Sequence, residues 1–314
     1  MRNLKTLAAI LKIGQFLTKH KMQTTLKSAA LAFTLGLLLL PFANACVSAA
    51  APVIVTSAVP TATPTPLPTV SPPAVSSGWQ PQIGARLQIQ YADYPPDLSV
   101  EADIFSLDLF ETSIEDIAAL HAQGKRVICY LNTGSWEKYR PDAADFPEDV
   151  IGKDYEGWPG EKWLDIRHYE DFAALMQARF DLAVEKGCDG IDADNMQNYD
   201  EDTGFVISAA DQLAYNRWLS QQAHNRGLAI GLKNDPGQAA ELVNWFDWSL
   251  VEDCAVYEWC PDLQPFALAG KAIFQVEYTD NWPGGAPFCA QAAELGYSAM
   301  LKNRDLDAWV SYCN

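Results

Sequence analysis

Histidine is scarce in this chain, with four residues in 314: His20, His121, His168 and His224. His20 lies in a leader-like segment, and the other three fall in or beside stretches of helical periodicity. No Ser-His-Asp constellation can be assembled from them. Basic residues are also few, 22 Lys and Arg against 40 Asp and Glu, for a net charge of −18. Six of the 22 lie in residues 1–46, which hold no acid. That leaves 16 against 40, or −24, for the rest. A chain this acidic is a poor partner for nucleic acid, where binding depends on neutralising phosphates. The acidity is accounted for by the solubility of an exported surface, or by an acidic cleft that attracts a cationic ligand. Composition alone favours the former. A G-x-G-x-x-G loop is missing, which argues against an open nucleotide-binding sheet. The cysteines form no paired C-x-x-C and have no neighbouring histidines, so no zinc site is expected. No metal and no cofactor are expected at all.

The two ends of the chain differ in kind. Residues 1–46 carry Arg2, Lys5, Lys12, Lys19, Lys21 and Lys27, then an apolar run over 29–42 and Ala43-Asn44-Ala45. The run is short for a bilayer span and of the right length for the core of a signal peptide. Translation starting at Met22 would still yield a complete signal. Cys46 follows the A-x-A site. It reads either as the lipidated first residue of a bacterial lipoprotein or as an incidental thiol of a secreted protein. Asn44 departs from the usual small-residue pattern, while the tether-like segment that follows favours the lipid anchor. That segment, 47–78, is rich in Pro, Thr, Ser and Ala, cannot bury a core, and reads as a semi-rigid linker. The folded domain is expected over 79–314, a length suited to one barrel. Extracellular or cell-surface localisation follows from the signal, and a monomer is expected.

Six cysteines fall in the folded part: Cys129, Cys188, Cys254, Cys260, Cys289 and Cys313. Export permits disulfides, and six cysteines allow fifteen pairings. Cys254 with Cys260 would close a short loop, and Cys289 with Cys313 would pin the C-terminus. Cys129, in a strand-like run, is expected to be a free core thiol.

Apolar runs at 84–90, 103–109, 126–132, 163–166, 189–194, 228–233, 247–252, 271–277 and 297–302 read as strands. The stretches 113–123, 169–186, 207–226, 236–244 and 288–295 read as helices. Ser113 with Asp116 marks a helix start, and Gly124, Gly187, Gly227 and Gly296 mark helix stops. Repeated helix–Gly–strand units predict parallel strands and an α/β fold, a (β/α)8 TIM-type barrel in a single catalytic domain with an extra strand. Nine strand candidates are one too many for the barrel, so either the first or the short fourth lies outside it.

The densest chemistry is GCDGIDADNMQNY, residues 187–199. Ile191 and Ala193 alternate with Asp192 and Asp194, which puts both carboxylates on one side of a strand. An acidic strand end that merely caps a loop would give the same window. Polar residues recur, however, at nearly every strand end: Asp108, Tyr130 with Asn132, Asp165 with Arg167, Asp192 with Asp194 and Asn195, Lys233 with Asn234, Glu252 with Asp253, Glu277 with Tyr278, and Lys302 with Asn303. In a parallel barrel these ends converge on one face. Trp136, Tyr139, Trp158 and Trp163 follow the third strand, and Trp259 and Trp282 follow later ones. Aromatic rings at a polar cleft suit the apolar faces of sugars, although packing of long loops explains any single one. Two carboxylates on different strands can cleave a glycosidic bond. The candidates are Asp192, Asp194, Glu252 and Glu277.

The segments GWPGEKWLDIR (157–167), GCDGIDADNMQNY (187–199), AHNRGLAIGLKN (223–234), LVEDC (250–254) and FQVEY (274–278) together resemble glycoside hydrolase family 114, the endo-α-1,4-polygalactosaminidases. The likeness runs from about Trp79 to Lys302, in order. It implies a (β/α)8-type barrel that hydrolyses α-1,4-linked galactosamine polymers. It also implies Asp194 as nucleophile and Glu252 as general acid/base of a retaining mechanism, with Asp192 and Lys233 beside them; Asp192 stays an alternative catalytic partner. Asp108, Tyr130, Asn132, Arg167, Asn195, Glu277 and Tyr278 complete the expected substrate-binding set. De-acetylated galactosamine is cationic, which fits the acidic balance. The competing readings are a hydrolase of another α-glycan, and a surface carbohydrate-binding lipoprotein with an inert barrel. A binding module needs no paired acids, so the pair favours catalysis.

Overall fold

The computed structural model describes residues 78–313. The expected signal segment, Cys46 and the linker up to residue 77 lie outside the described residues. Strands are numbered here in chain order. Eight of them, β1 (Leu87–Gln90), β2 (Ile104–Asp108), β3 (Arg126–Asn132), β7 (Gly190–Asp194), β8 (Ala229–Lys233), β9 (Trp248–Glu252), β10 (Ile273–Tyr278) and β11 (Ser298–Lys302), stand side by side in that order. Every neighbouring pair among them is parallel. A ninth strand, β12 (Val310–Tyr312), adds antiparallel to β11. The gap between the two ends of the ladder is bridged by the 303–309 loop. There the Tyr91 and Ala92 amides donate to the Leu306 carbonyl at 2.9 and 3.2 Å, and the Gln88 side chain donates to the Ala308 carbonyl at 2.8 Å. The result is a nearly closed TIM-type barrel with an extra strand.

The surplus strand candidate was the fourth. Residues 161–164 form β6 (Glu161–Leu164), which pairs antiparallel with β4 (Ser135–Glu137) and β5 (Ile151–Asp154). This small side sheet sits within the connection from β3 to β7. Its apolar look comes from Leu164, which packs into the core outside the barrel, and from Trp163, buried at the cleft wall against Tyr155. The antiparallel β12 is three residues long and only partly buried, too short and too polar for a periodicity argument to catch.

The helices fall where the apolar periodicity placed them: α1 (Ile114–Ala122), α2 (Ala173–Lys186), α3 (Ala209–His224), α4 (Ala239–Leu242) and α6 (Cys289–Leu295), with a short α5 (Gln264–Leu268) besides. Ser113 caps α1 by accepting the Asp116 amide at 3.0 Å. Ser208 and Asp211 form a reciprocal capping box on α3. Gly187 and Gly296 end α2 and α6 in the left-handed conformation, at φ 89° and 78°, where a Cβ would be strained.

Alternation along the strands splits the core in two. Outward residues such as Leu107, Ile191, Leu232 and Val251 pack against the helices. Inward residues such as Ile104, Ile128, Leu250, Phe274 and Met300 fill the barrel. Trp248 is the largest of the inward set and fully buried. It requires glycine opposite: a Cβ on Gly231 would lie 2.2 Å from the indole nitrogen, and one on Gly190 2.9 Å from the ring. The glycines of the GIDAD and AIGLK strands are therefore packing choices.

Among the described residues there are three disulfides, Cys129–Cys188, Cys254–Cys260 and Cys289–Cys313. Cys129 is thus bonded, not free. Its outward side chain on β3 meets Cys188, which leads into the neighbouring β7, across a Cα separation of 5.9 Å. Sequence could not supply that neighbour without the strand order.

Candidate active site

Three successive barrel strands end in charge. β7 carries Asp192 and Asp194, β8 carries Lys233 and β9 carries Glu252. After each strand the chain turns through a left-handed residue, Asn195 at φ 60°, Asn234 at 52° and Asp253 at 55°. Asn and Asp tolerate that region better than other residues with a Cβ. Such turns recur where a fold holds functional groups at a rim.

Lys233 is the hub. Its ammonium lies 3.2 Å from Glu252 Oε2 and 3.9 Å from both Asp194 Oδ1 and Asp192 Oδ2. Burial would depress Lys233, but Asp192, Glu252 and Asp194 outweigh it and raise its pKa well above the ordinary value. The same field acts in reverse on Glu252. Burial pushes its pKa up, while the charge of Lys233 and hydrogen bonds from Tyr278 and Lys233 bring it below the usual range. The Tyr278 hydroxyl donates to Glu252 Oε1, and the Arg304 guanidinium sits 3.9 Å over the Tyr278 ring. The Glu252 amide donates to Asn234 Oδ1 at 3.0 Å, which fixes the end of the strand.

Asp194 and Asp192 differ in access. Asp194 lines the cleft and accepts the Tyr130 hydroxyl at 2.9 Å. Asp192 lies beneath, 1 % exposed, and accepts the Tyr91 hydroxyl at 2.6 Å. The Tyr91 and Tyr130 rings pack at 4.4 Å. Burial foremost raises the Asp192 pKa, and its Oδ1 has no hydrogen-bond partner among the described residues. Asp192 is thus placed to tune Lys233 from below, and Asp194 to reach a ligand.

The cleft rises from this floor. Tyr155, Trp158, Glu161 and Trp163 wall it from the side-sheet region, and Asn195, Gln197, Glu201 and Asn234 close the rest. Tyr155 lies 4.2 Å from the Trp163 ring and 6.3 Å from Trp158, centroid to centroid. Four lining carboxylates, Glu161, Asp194, Glu201 and Glu252, face one lining lysine.

Of the residues singled out from sequence, Asp194, Glu252, Lys233, Tyr130 and Asn195 line the cleft, and Asp192 and Tyr278 brace them. The others are engaged nearby. Asp108 is gripped by both Arg140 amino groups, at 2.9 and 2.7 Å. Asn132 is buried and holds the 134–135 turn through the Gly134 and Ser135 amides. Arg167 pairs with Asp165 at 2.7 Å and lies over Phe205. Glu277 is fully buried and accepts from the Ala255 amide, Gln275 and Trp282. It anchors the loops after β9 and β10. The residues missed were Tyr91, Tyr155, Arg140, Glu201 and Glu161. For Glu161 a signal existed: it stands two residues before Trp163, so the two share a face of one strand.

The profile of glycoside-hydrolase family GH114 matches residues 69–314. This chain belongs to family GH114. Among solved structures, that of Aspergillus fumigatus Ega3 in complex with galactosamine is 36% identical, with a TM-score of 0.70, and the alignment covers 76% of this chain and 100% of that one. The glycoside hydrolase domain of PelA from Pseudomonas aeruginosa shares the fold at 16% identity and a TM-score of 0.57, covering 72% of this chain and 97% of that one. An uncharacterized protein of Deinococcus radiodurans is 26% identical over 212 residues, 59% of this chain and 67% of its own length. This GH114 barrel is a glycoside hydrolase, with its acidic cleft at the C-terminal ends of the strands, where barrel enzymes carry their chemistry.

Proposed function

We propose that this GH114 enzyme is exported and cleaves α-1,4-linked galactosamine polymers internally, with retention of configuration. The observation that carries the reading is the pair Asp194 and Glu252, facing one cleft and tied to one lysine, in a chain 36% identical to a galactosamine-bound relative. Asp194 serves as nucleophile and Glu252 as general acid/base. Lys233 contacts both, so their nearest oxygens are no farther apart than the sum of its two distances, 3.2 and 3.9 Å. That ceiling favours the ~5–5.5 Å spacing of retaining enzymes over most of the ~6.5–9.5 Å inverting range.

The chemistry follows in two steps. Asp194 attacks the anomeric carbon as Glu252 gives a proton to the leaving oxygen. Water then displaces Asp194, with Glu252 taking its proton. Lys233 and Tyr278 favour the ionised Glu252 of the second step. The first step needs Glu252 protonated, so its demand falls on the acidic side of the pH range. A cationic polymer is drawn to a cleft whose carboxylates outnumber its lysine. Export, with a lipid anchor at Cys46, suits action on an extracellular polysaccharide.

The test incubates the purified chain with partly de-acetylated α-1,4-galactosamine polymer, reading products by mass and anomeric configuration by NMR. Release of oligosaccharides that keep the α configuration supports the reading. A polymer bound but uncut would favour the carbohydrate-binding alternative, and cleavage of a different α-glycan alone would replace the substrate.

A further inference from the structure

Beside the catalytic pair stands a second acidic group that the two-step chemistry does not use. Glu161 begins β6 at the wall of the cleft. Its Oε1 shares the Tyr139 hydroxyl with Glu137 Oε1, at 2.9 and 3.0 Å, and its Oε2 accepts Ser135 Oγ at 3.0 Å and Asn132 Nδ2 at 3.3 Å. A carboxylate offers about four acceptor sites, so these donors leave room for another on Oε1. No Lys or Arg lies within salt-bridge distance of Glu161 among the described residues. The nearby Arg140 is spent on Glu137 at 2.8 Å and Asp108 at 2.7 Å. Lys233 is shared by Asp192, Asp194 and Glu252.

Three further features give this carboxylate a ligand. Trp158 is half exposed at the same wall, while Trp163, on the same face of β6 as Glu161, is buried against Tyr155. A sugar ring resting on Trp158 presents its substituents to Glu161. Ser135 Oγ is also 3.5 Å from Asn195, the residue after Asp194, so Glu161 stands one side chain removed from the catalytic strand end. Burial and the neighbouring Glu137 push Glu161 up to about 7, the mark of an acid short of a counter-charge.

We propose that Glu161 is the specificity-determining residue that selects a free, protonated amine over an N-acetyl group on the sugar held against Trp158. An ammonium supplies the missing counter-charge and fills the open acceptor site. An acetamido N–H could fill the acceptor site but brings no charge, so the charge-assisted part of the contact is lost. The proposal rests on the amino-sugar reading above.

The test compares fully de-acetylated and N-acetylated α-1,4-galactosamine oligomers of equal length on the full chain and on E161Q and E161D. Loss of one charge-assisted contact is expected to raise KM for the de-acetylated oligomer about 10-fold or more in E161Q. The acetylated oligomer should lose much less than the de-acetylated one, so the preference ratio collapses. E161D keeps the charge and should keep most of the preference; damage to folding would instead appear in both variants and in their thermal melts. The unmodified protein gives a second readout. Tyr139, Ser135 and Glu137 face Glu161 from the β4 side, Asn132 and Tyr130 from β3, Tyr155 from the loop before β6, and Asp194 from β7. As the pH falls from about 7.5 to about 5.5, Glu161 takes up its proton and the preference for the amine should weaken. Equal loss on both oligomers, or an unchanged ratio in E161Q with no pH trend, overturns the proposal while leaving the polymer assignment intact. A native enzyme that cuts only acetylated or unrelated glycans overturns both.

Discussion

Two clusters at the rim of this barrel each gather carboxylates around one cation, and put it to different use. In the first, Asp192, Asp194 and Glu252 surround Lys233. In the second, Asp108 and Glu137 hold Arg140, with Glu161 next to Glu137. The arginine is saturated: its planar fork binds Asp108 through two nitrogens and Glu137 through two contacts, all between 2.7 and 2.9 Å. The lysine is stretched, with two of its three partners at 3.9 Å. A guanidinium locks geometry, whereas a compact ammonium shares its field among groups that must still change protonation. The saturated cluster braces the side sheet, and the stretched one holds the acids proposed to react. Glu161 belongs to the braced cluster by position but receives none of its positive charge.

The largest effect should come from the reactive cluster. Asp194→Asn and Glu252→Gln are each expected to lower oligosaccharide release by at least ~10³-fold with little change in melting temperature. Loss from Asp192→Asn approaching that of Asp194→Asn would move Asp192 into the catalytic pair. Next is the braced cluster. Arg140→Met leaves two buried acids unpaired and should cost roughly 3 kcal/mol or more in denaturant unfolding. A stability change under 1 kcal/mol would show that the two clusters do not differ as described. Lys233→Met tests the field directly. Without the ammonium, the folded-state pKa of Glu252 rises, so the proton needed for the first step is held to higher pH. The alkaline limb of kcat/KM should move upward even as the maximum rate falls, by about 10–100-fold.

Much of this could be read in the sequence, because periodicity and strand ends are local. The alternation of Ile191 and Ala193 with Asp192 and Asp194 was enough to put two acids in a barrel mouth, and the glycines after the helices set the repeat. What could not be read depends on neighbours across the sheet. Cys129 looked like a free thiol because its partner precedes a strand 59 residues on. Asp108 and Glu277 looked like ligand-facing strand ends, and only the fold shows Arg140, Trp282 and the Ala255 amide occupying them. Glu161 lay in a motif quoted for its likeness, but its importance comes from the lack of a cation beside it, a property of three-dimensional space. The strand at 163–166 misled because an apolar run records burial and not which sheet does the burying.

The smallest effect is the most discriminating. A tyrosine hydroxyl reaches a carboxylate beside each cation, Tyr278 on Glu252 and Tyr139 between Glu161 and Glu137. Phenylalanine removes only the donor. In Tyr278→Phe, Glu252 loses a hydrogen bond that favours its ionised form, so its pKa rises and the alkaline limb of activity moves to higher pH, with kcat reduced no more than about 10-fold. In Tyr139→Phe the same deletion touches a group that does not transfer the proton, so the limb should stay where it is. Only the KM for the amine-bearing oligomer should respond, and only modestly. If both variants moved the limb alike, the two clusters would form one electrostatic unit, and the division between reacting and bracing groups would fail. If neither did, Lys233 alone would govern Glu252, and the hydroxyl from β10 would serve to position the carboxylate without tuning it.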